Sequence, residues 1–323
     1  MKSVLSTSTK WLMATAAAVA LVALPGGQAK AEFPEKPVEM TILFGGTAQT
    51  IGQLLADLMS REMSEPVVAV SRTGGGGAVG YIHVQSTDAD GHSIVWNSNS
   101  VSTAYHRGNM PFSYEAFAPI ARISTEIPAL AVHVDSGWET LQDMVDDITA
   151  SGENLKVGNS GNGSFTHLTT AAVMDAVGLS DSIVNIPYGA GEAPTELLAG
   201  RIDATIQWPG QFLPHVEAGN LRILCVTSAE RIDMLPDTPT CAESGAEGVD
   251  ITMWRGLAAP AGTPDEVIDA LEAAASAAVE SEQFQEAAQN IGFESSFLGS
   301  EDFAELIARD DERISQLLKD LGM

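Results

Sequence analysis

The chain has 323 residues, of which 16 are Lys or Arg and 43 are Asp or Glu, so its formal net charge is −27. A field this negative repels phosphate backbones and anionic lipids, which argues against nucleic acid and membrane surfaces as partners. Hydrophobic residues make up 45% of the chain and charged residues 18%, a composition typical of folded proteins. The length suffices for two domains with separate cores.

The first 31 residues have the features of a secretory signal peptide. Lys2 and Lys10 precede an apolar run from Trp11 to Leu24, and an Ala-x-Ala pattern ends at Ala31. The run is too short to span a bilayer comfortably, and no later stretch of the sequence is long and apolar enough to do so. We therefore expect cleavage after Ala31, export to the periplasm and no membrane insertion after cleavage.

Short apolar strands alternate with amphipathic helices along the chain, which predicts an α/β fold. The predicted strands cover residues 38–44, 66–70, 93–96, 120–134 with a break at Pro128, 155–158, 183–186, 204–207 and 222–227. Helices are predicted over 51–59, over 141–148, near His167, after Thr263 as N-cap with Pro264 in the first turn, and from Ser300 onwards. The lack of a linker predicts two domains joined by two hinge crossings, 32–123 with 254–323 and 124–253.

Two cysteines, Cys225 and Cys241, remain in an oxidising compartment after export. Cys225 lies in an apolar strand pattern, and Cys241 follows Pro239 and Thr240. The sequence allows either a single disulfide or two packed free thiols, and it leaves both alternatives open.

Two loops rich in small residues join a predicted strand end to a predicted helix start, one in each domain. The first covers residues 45–50 (GGTAQT) and the second covers residues 159–167 (NSGNGSFTH). Glycines let backbone N–H groups turn outward, and the helix that follows adds unsatisfied donors and a positive dipole end. Each loop alone is better explained as a tight turn. The pair predicts a site that holds a carboxylate without a formal positive charge.

Signatures of an enzyme are weak in this sequence. A G-x-G-x-x-G pattern at 75–80 follows a strand, but the acid required for dinucleotide binding is replaced by Asn97 to Asn99. No Lys-Ser/Thr pair follows these glycines, and Asn162 stands where a nucleophile elbow has glycine. The six histidines lack zinc-ligand spacing. We therefore predict no catalytic residue, no metal and no cofactor.

Several short motifs follow one another along the chain, including FPEKP at 33–37, GG at 45–46, SGNGS-x-x-HL at 160–168, IPY at 186–188, GEA at 191–193, LLAG at 197–200 and APAGTP at 259–264. In this order and spacing they resemble the receptor component of tripartite tricarboxylate transporters, also called the Bug family, over nearly all of residues 33–323. The resemblance implies a type II periplasmic binding fold, with two α/β domains, mixed sheets and a cleft crossed by two hinge segments.

The resemblance also implies a monomeric extracytoplasmic receptor that captures a small mono-, di- or tricarboxylate by domain closure. Such a receptor delivers its ligand to the membrane permease subunits of a tripartite transporter. A receptor of the same fold that serves an ABC transporter or a sensor kinase is the first alternative, and an exported enzyme is the second.

Carried over by position, the resemblance implies a ligand held between the two loops. The implied residues are Gly46, Thr47, Ala48 and Gln49 on one side, Gly161, Ser164 and Thr166 on the other, and Asn97, Ser98 and Asn99 along a wall. We add His167, which the sequence more readily explains as a capping residue, and Tyr188 and Trp208 for a distal pocket. Arg255 is expected to form an interdomain salt bridge, with the second carboxylate of a diacid as the alternative.

This sequence departs from the family pattern at three positions, which leaves the identity of the ligand open. Gln49 replaces the usual Asp of the first loop, Gln207 replaces a frequent acid, and Gly189 stands where a Lys is common. Fewer acids near the cleft would lower the repulsion of an anion.

The charge pattern predicts a protein that strong salt stabilises. Cleavage after Ala31 removes three lysines and no acids, which leaves 13 basic residues against 43 acidic ones and a net charge of −30. Because added salt screens repulsion among these acids, the melting temperature of the mature protein should rise between low and high NaCl concentrations. Acid-rich, lysine-poor surfaces stay soluble in strong salt, so we also hypothesise a marine or halophilic source. A melting temperature that does not rise would contradict this hypothesis.

Overall fold

The computed structural model describes residues 33–188 and 191–322, so the predicted signal peptide lies outside the described residues. From Phe33 onwards the chain forms one compact unit. Its strands are β1 (Val38–Ile42), β2 (Val67–Ser71), β3 (Ser93–Ser98), β4 (Phe117–Glu126), β5 (Ala129–His133), β6 (Leu155–Asn159), β7 (Ile183–Pro187), β8 (Ala204–Gln207), β9 (Leu221–Val226), β10 (Met253–Pro260) and β11 (Glu294–Gly299).

Helices cover much of the remaining chain. They are α1 (Thr47–Glu62), α2 (Ala78–Gln85), α3 (Ser100–His106), α4 (Leu141–Ser151), α5 (Phe165–Ala176), α6 (Ala193–Leu198), α7 (Pro209–Glu217), α8 (Asp265–Glu280), α9 (Glu282–Ile291) and α10 (Ser300–Asp320). Within the described part of the chain, none of these helices has the length and apolar character needed to cross a membrane.

The strands form two mixed sheets, which confirms the predicted α/β class. The first sheet has the order β11-β4-β10-β3-β1-β2, and the second has the order β7-β6-β8-β5-β9. In the first, β1 runs parallel to β2 and β3, whereas β10 is antiparallel to β3 and β4. In the second, β6 runs parallel to β7 and β8, whereas β5 is antiparallel to β8 and β9. We call each sheet with the helices packed on it a lobe.

The chain connects the two lobes at more than one place. It leaves the first sheet between β4 and β5 at residues 127–128 and returns between β9 and β10 at residues 227–252. Helix α10 begins with Phe303 and Ile307 in a core cluster of the first lobe and ends with Ile314 and Leu318 in the core of the second. The C-terminal helix therefore packs on both lobes, whereas the sequence-based division placed it in one. The domain boundaries stay a prediction.

Helix α1 fixes the position of the first loop because it packs closely on the first sheet. Ile51, Leu55 and Met59 recur at helical spacing and are fully buried. Gly52 allows the close approach, because a Cβ at this position would lie 2.6 Å from Cδ1 of Ile42. The helix start is thereby held at the carboxyl end of β1.

The start of helix α8 differs from the prediction by one residue. Pro264 is the N-cap and Asp265 is the first helical residue. The Thr263 hydroxyl donates to the carbonyl oxygen of Pro260 at 2.8 Å and is used in the turn before the helix. Thr263 therefore closes that turn and does not cap the helix.

Cys225 and Cys241 form a disulfide, which resolves the alternative left open by the sequence. Their Cα atoms lie 4.9 Å apart, and the bridge closes a loop with a sequence separation of 16 residues. It ties β9 to the segment that follows, where the Cys241 N–H also donates to the carbonyl oxygen of Val226 at 2.8 Å.

Reduction of this disulfide should destabilise the protein by about 3 kcal/mol, the value expected from loop-closure entropy for a loop of this length. Urea denaturation with and without dithiothreitol measures the difference as a shift of the midpoint. The Cys225→Ala/Cys241→Ala variant serves as the control, because its midpoint should not respond to dithiothreitol. Equal midpoints for the oxidised and reduced wild type would contradict the prediction.

Candidate functional site

Four strand-to-helix junctions, two from each lobe, meet in the cleft between the lobes. In the first sheet β1 and β3 are parallel, and in the second sheet β6 and β8 are parallel. These strands lead directly into α1, α3, α5 and α7. Ligands of open α/β sheets bind outside the carboxyl ends of the strands, and this is the edge at which the junctions lie.

Residues from all four junctions line one cavity. The volume between its walls is about 340 Å³, part of which is open to solvent. The lining residues are Phe44, Gly45, Ser100, Ser160, Ser164, Phe165, Thr166, Gly191, Gln207, Trp208, Gln211, Met253 and Arg255.

The N-terminus of α5 directs hydrogen-bond donors toward this cavity. Ser164 is the N-cap, and its hydroxyl oxygen accepts from the N–H of His167 at 3.3 Å. The Thr166 hydroxyl oxygen accepts from the N–H of Ser160 at 2.9 Å, which holds the loop against the helix. Phe165 and Thr166 are the first helical residues, so their N–H groups have no acceptor within the helix. These donors and the positive end of the helix dipole favour an anion.

His167 supports this loop and does not line the cavity. Its Nδ1 accepts from the N–H of Gly163 at 3.1 Å. Burial lowers the pKa of His167, and the nearby Arg107 lowers it further. Because the pKa is lowered, the imidazole is neutral near pH 7, and Nδ1 can therefore accept the hydrogen bond from Gly163. The structure therefore agrees with the capping interpretation of this residue.

The first loop lines the cavity through Gly45, and Phe44, the residue before the loop, lines it as well. The four residues that the resemblance implied, 46–49, lie just beyond. Gly46, with φ of 65°, is the N-cap of α1 and faces the second lobe, where a Cβ on Gly46 would lie 3.0 Å from Nε2 of Gln211. Ala48 is buried, and its carbonyl oxygen accepts from Nε1 of Trp96 at 2.9 Å.

Asn97, Ser98 and Asn99 are buried and serve the framework behind the cavity. Oδ1 of Asn97 accepts from the Tyr81 hydroxyl at 2.8 Å, and Oγ of Ser98 accepts from the N–H of Ser100 at 3.3 Å. Oδ1 of Asn99 accepts from the N–H of Trp254 at 2.8 Å. The wall that the sequence assigned to these three residues is formed instead by the next residue, Ser100.

Arg255 and Glu126 form a buried ion pair beside the cavity. Their side chains are 2% and 1% exposed, and the guanidinium donates through Nε to Oε1 and through Nη2 to Oε2, the latter at 3.1 Å. The guanidinium carbon also lies 5.3 Å from the ring centre of Trp208 in the second lobe. The predicted salt bridge is present, but both partners lie on strands of the first sheet.

The remaining predicted residues of the second lobe divide between the cavity and its surroundings. Trp208, the N-cap of α7, lines the cavity. Gly161 does not, and its N–H donates to Oδ1 of Asn159 at 3.0 Å. Tyr188 is half-buried in an apolar cluster of the second lobe, and its N–H donates to the carbonyl oxygen of Asn159 at 2.8 Å.

Four of the fourteen predicted site residues therefore line the cavity, namely Ser164, Thr166, Trp208 and Arg255. The lining residues that sequence reasoning missed include Ser100, Ser160 and Gln211. Ser100 and Ser160 each follow the end of a strand. Because the sequence pattern predicts where these strands end, both serines could have been selected as candidate site residues. Among residues 33–188 and 191–322, no group of three or more His, Cys, Asp or Glu side chains is placed to hold a metal ion.

The geometry defines a two-lobed binding protein with an anion-favouring cavity, and comparison with known proteins gives the family. Residues 51–323 match the family described as the tripartite tricarboxylate transporter family receptor, and the chain belongs to this family. A UPF0065 protein from the tcbD-tcbE intergenic region of Pseudomonas sp. (strain P51) is 29% identical over 292 residues, which cover 88% of this chain and 86% of that protein.

Solved structures of similar proteins agree with this assignment. The periplasmic binding protein BugD matches with a TM-score of 0.83 at 27% identity, covering 90% of this chain and 99% of BugD. An R. palustris protein solved with adipate matches with a TM-score of 0.84 at 25% identity, covering 90% of this chain and 99% of its own. The predicted family and the type II periplasmic binding fold are confirmed. Because members of the family are solute-binding receptors, the chain is a receptor and not an enzyme.

Asp310 supports the cavity from behind and should make stability depend on pH. Its Oδ2 accepts from Nε1 of Trp254 at 2.9 Å and from Nδ2 of Asn99. Burial raises the pKa of Asp310, and the Arg313 guanidinium opposes this effect. Because the folded state then binds the proton more tightly than the unfolded state, this residue contributes stability as the pH falls from 7 through its raised pKa toward the ordinary value of about 4.

The Asp310→Asn variant should lack this contribution. We expect the free energy of unfolding of the wild type, relative to the variant, to rise as the pH falls from neutral toward about 4. Urea denaturation at several pH values measures the difference. Glu312→Gln removes one exposed charge from the same helix and controls for net charge. A pH-independent difference between wild type and Asp310→Asn would contradict the assignment.

Proposed function

We propose that this chain is an exported receptor that captures a small carboxylate between its lobes and delivers it to the membrane subunits of a tripartite transporter. The observation that carries the proposal is the convergence of strand-to-helix junctions from both lobes on one cavity. Membership of the receptor family supports the delivery step. Cleavage after Ala31 and a monomeric state belong to the same proposal.

A carboxylate fits the donors that face the cavity. It accepts hydrogen bonds and donates none at neutral pH, and the N–H groups of Phe165 and Thr166 need an acceptor. The hydroxyl group of Ser100, which has no hydrogen-bond partner among the described residues, adds a further donor to the same cavity. The R. palustris protein solved with adipate shows that a similar fold holds a carboxylate, which supports the assignment of this ligand class.

Contacts between the lobes outside the cavity indicate how closure and binding are coupled. Nδ2 of Asn109 donates to the carbonyl oxygen of Gly75 at 3.0 Å and to that of Asn162, in the second loop, at 2.9 Å. Gly76 lies against the same loop, since a Cβ there would come within 2.9 Å of the Asn162 carbonyl oxygen. A ligand that contacts both lobes adds to these contacts only in the closed state and therefore favours closure.

A charge placed at the N-cap of α5 tests the carboxylate site without removing the cap. Asp and Asn are both good N-caps, so Ser164→Asp and Ser164→Asn should leave α5 intact. Repulsion of two charges at close range predicts that Ser164→Asp binds carboxylates at least about 100-fold more weakly than Ser164→Asn. Thermal-shift screening with mono-, di- and tricarboxylates at low and high salt identifies the ligand, and calorimetry then gives its affinity for each variant.

The comparison of these two variants separates charge from shape. Equal affinities of Ser164→Asp and Ser164→Asn for the best carboxylate would refute the placement of the site. Binding of no carboxylate by the wild type at any salt concentration would refute the proposed function itself.

A further inference from the structure

The cavity has no net charge of its own. Of the residues that line it, Arg255 alone carries a formal charge. The carboxylate of Glu126 neutralises this charge through two guanidinium nitrogens, Nε and Nη2. A ligand carboxylate at the start of α5 is therefore met by dipoles and hydroxyl groups, and a second carboxylate would find no unmatched cation in the lining.

Arg255 is not free to turn toward a ligand. In the first sheet its Cα pairs with Ser98 on β3 and with Ser124 on β4, and its guanidinium stands over the Trp208 ring. Movement toward a ligand anion would leave the Glu126 carboxylate buried without its partner, which is strongly unfavourable. Nη1, the remaining guanidinium nitrogen, can still donate to an uncharged acceptor while the ion pair stays intact.

Two polar atoms without hydrogen-bond partners indicate which chemical group of a ligand, besides its carboxylate, the cavity can bind. Oγ of Ser100 and Oε1 of Gln211 are buried and have no hydrogen-bond partner among the described residues. Both residues line the cavity. An amide oxygen can only accept, so its partner must donate a proton. A ligand hydroxyl or amide group supplies such a proton, whereas an ionised carboxylate does not.

We propose that Glu126 is a specificity-determining residue that makes the site prefer a monoanion to a dianion. One carboxylate of the solute binds at the helix N-termini, and the rest of the solute presents an uncharged hydroxyl or amide group. A dianion binds more weakly because its second carboxylate gives up water, meets the unpartnered acceptor Oε1 of Gln211, and finds the one cation beside the cavity already neutralised by Glu126. This inference rests on the proposed function, since it presumes that a carboxylate occupies the site.

Matched acids that differ at one end test the inference on the wild-type protein. Adipate, 6-hydroxyhexanoate and adipic acid monoamide share a six-carbon chain, and succinate, 4-hydroxybutanoate and succinic acid monoamide form a shorter set. Calorimetry measures the affinity of each acid, and the set whose chain length fits the cavity decides the test. In that set, the hydroxyl or amide member should bind at least about tenfold more tightly than the dianion. This factor is the lower end of the effect of one close charge pair. Tighter binding of the dianion would overturn the inference.

Two variants assign the effect to Glu126. Glu126→Gln keeps the shape of the side chain but frees the charge of Arg255, so the preference for the monoanion over the dianion should fall by about tenfold or more. Glu126→Gln/Arg255→Gln removes both charges and should keep the wild-type preference. If Glu126→Gln does not fold, the double variant can still be measured, because a protein tolerates the loss of a matched buried ion pair better than the loss of one partner.

The outcomes distinguish the inference from the proposed function. An unchanged preference in folded Glu126→Gln, or a preference for dianions in the double variant, would overturn the role of Glu126 while leaving carboxylate capture in place. If no member of either set and no other carboxylate binds to the wild type, carboxylate capture is refuted, and the inference falls with it.

Discussion

The meeting of helix N-termini in one cleft is the constraint on which the rest of the structure depends. Backbone N–H groups at the start of a helix need acceptors, and an anionic ligand in the cleft can supply them. The sheets serve this arrangement because parallel strands end at a common edge, which places α1 and α3 opposite α5 and α7. Close packing such as that at Gly52 then holds the helix starts in position.

The Arg255–Glu126 pair links the cavity to the segments that join the lobes. Glu126 is the last residue of β4, directly before the crossing at 127–128, and Arg255 is the third residue of β10, the strand that follows the return crossing. The contact of Arg255 with Trp208 extends the pair to the second lobe. One buried ion pair thus lies beside the ligand, next to both crossings and against the opposite lobe. Its charges are matched within the protein, so the lobes can close over it without burying an unpaired ion.

Much of the fold could be predicted from the sequence because its strands are apolar runs and its longer helices have apolar residues at regular spacing. Strand β8 was predicted at its observed bounds, and α10 was predicted to begin at Ser300. The short helices α3, α6 and α7 gave no such signal, because six to nine residues show too few turns of periodicity. The N-cap of α8 was misassigned because the Thr263 hydroxyl satisfies a turn, a choice that sequence spacing does not reveal.

The site was predicted less well than the fold, for a reason that particular residues make plain. The loops were found from their glycines, but which of their residues face the cavity depends on the angle at which each helix leaves its strand. A shift of one residue moves the wall from Asn99 to Ser100 and the lining of the first loop from Gly46 to Gly45. The partner of Arg255 is 129 residues away in sequence, and only the pairing of β4 with β10 brings it close.

The acidity of the chain and its preference for an anion are compatible because the charges and the site are separated. The net charge of −27 belongs to the whole chain, while the residues that line the cavity include no acid. Two buried acids near the cavity have partners: Glu126 pairs with Arg255, and Asp310 accepts hydrogen bonds from Trp254 and Asn99. At physiological salt the Debye length is about 8 Å, so exposed acids farther away have little effect on a ligand in the cleft. Binding is therefore decided by the hydrogen-bond donors and charges at short range. For the same reason, one buried residue such as Glu126 can determine the preference for a monoanion over a dianion, whereas the screened surface charges cannot.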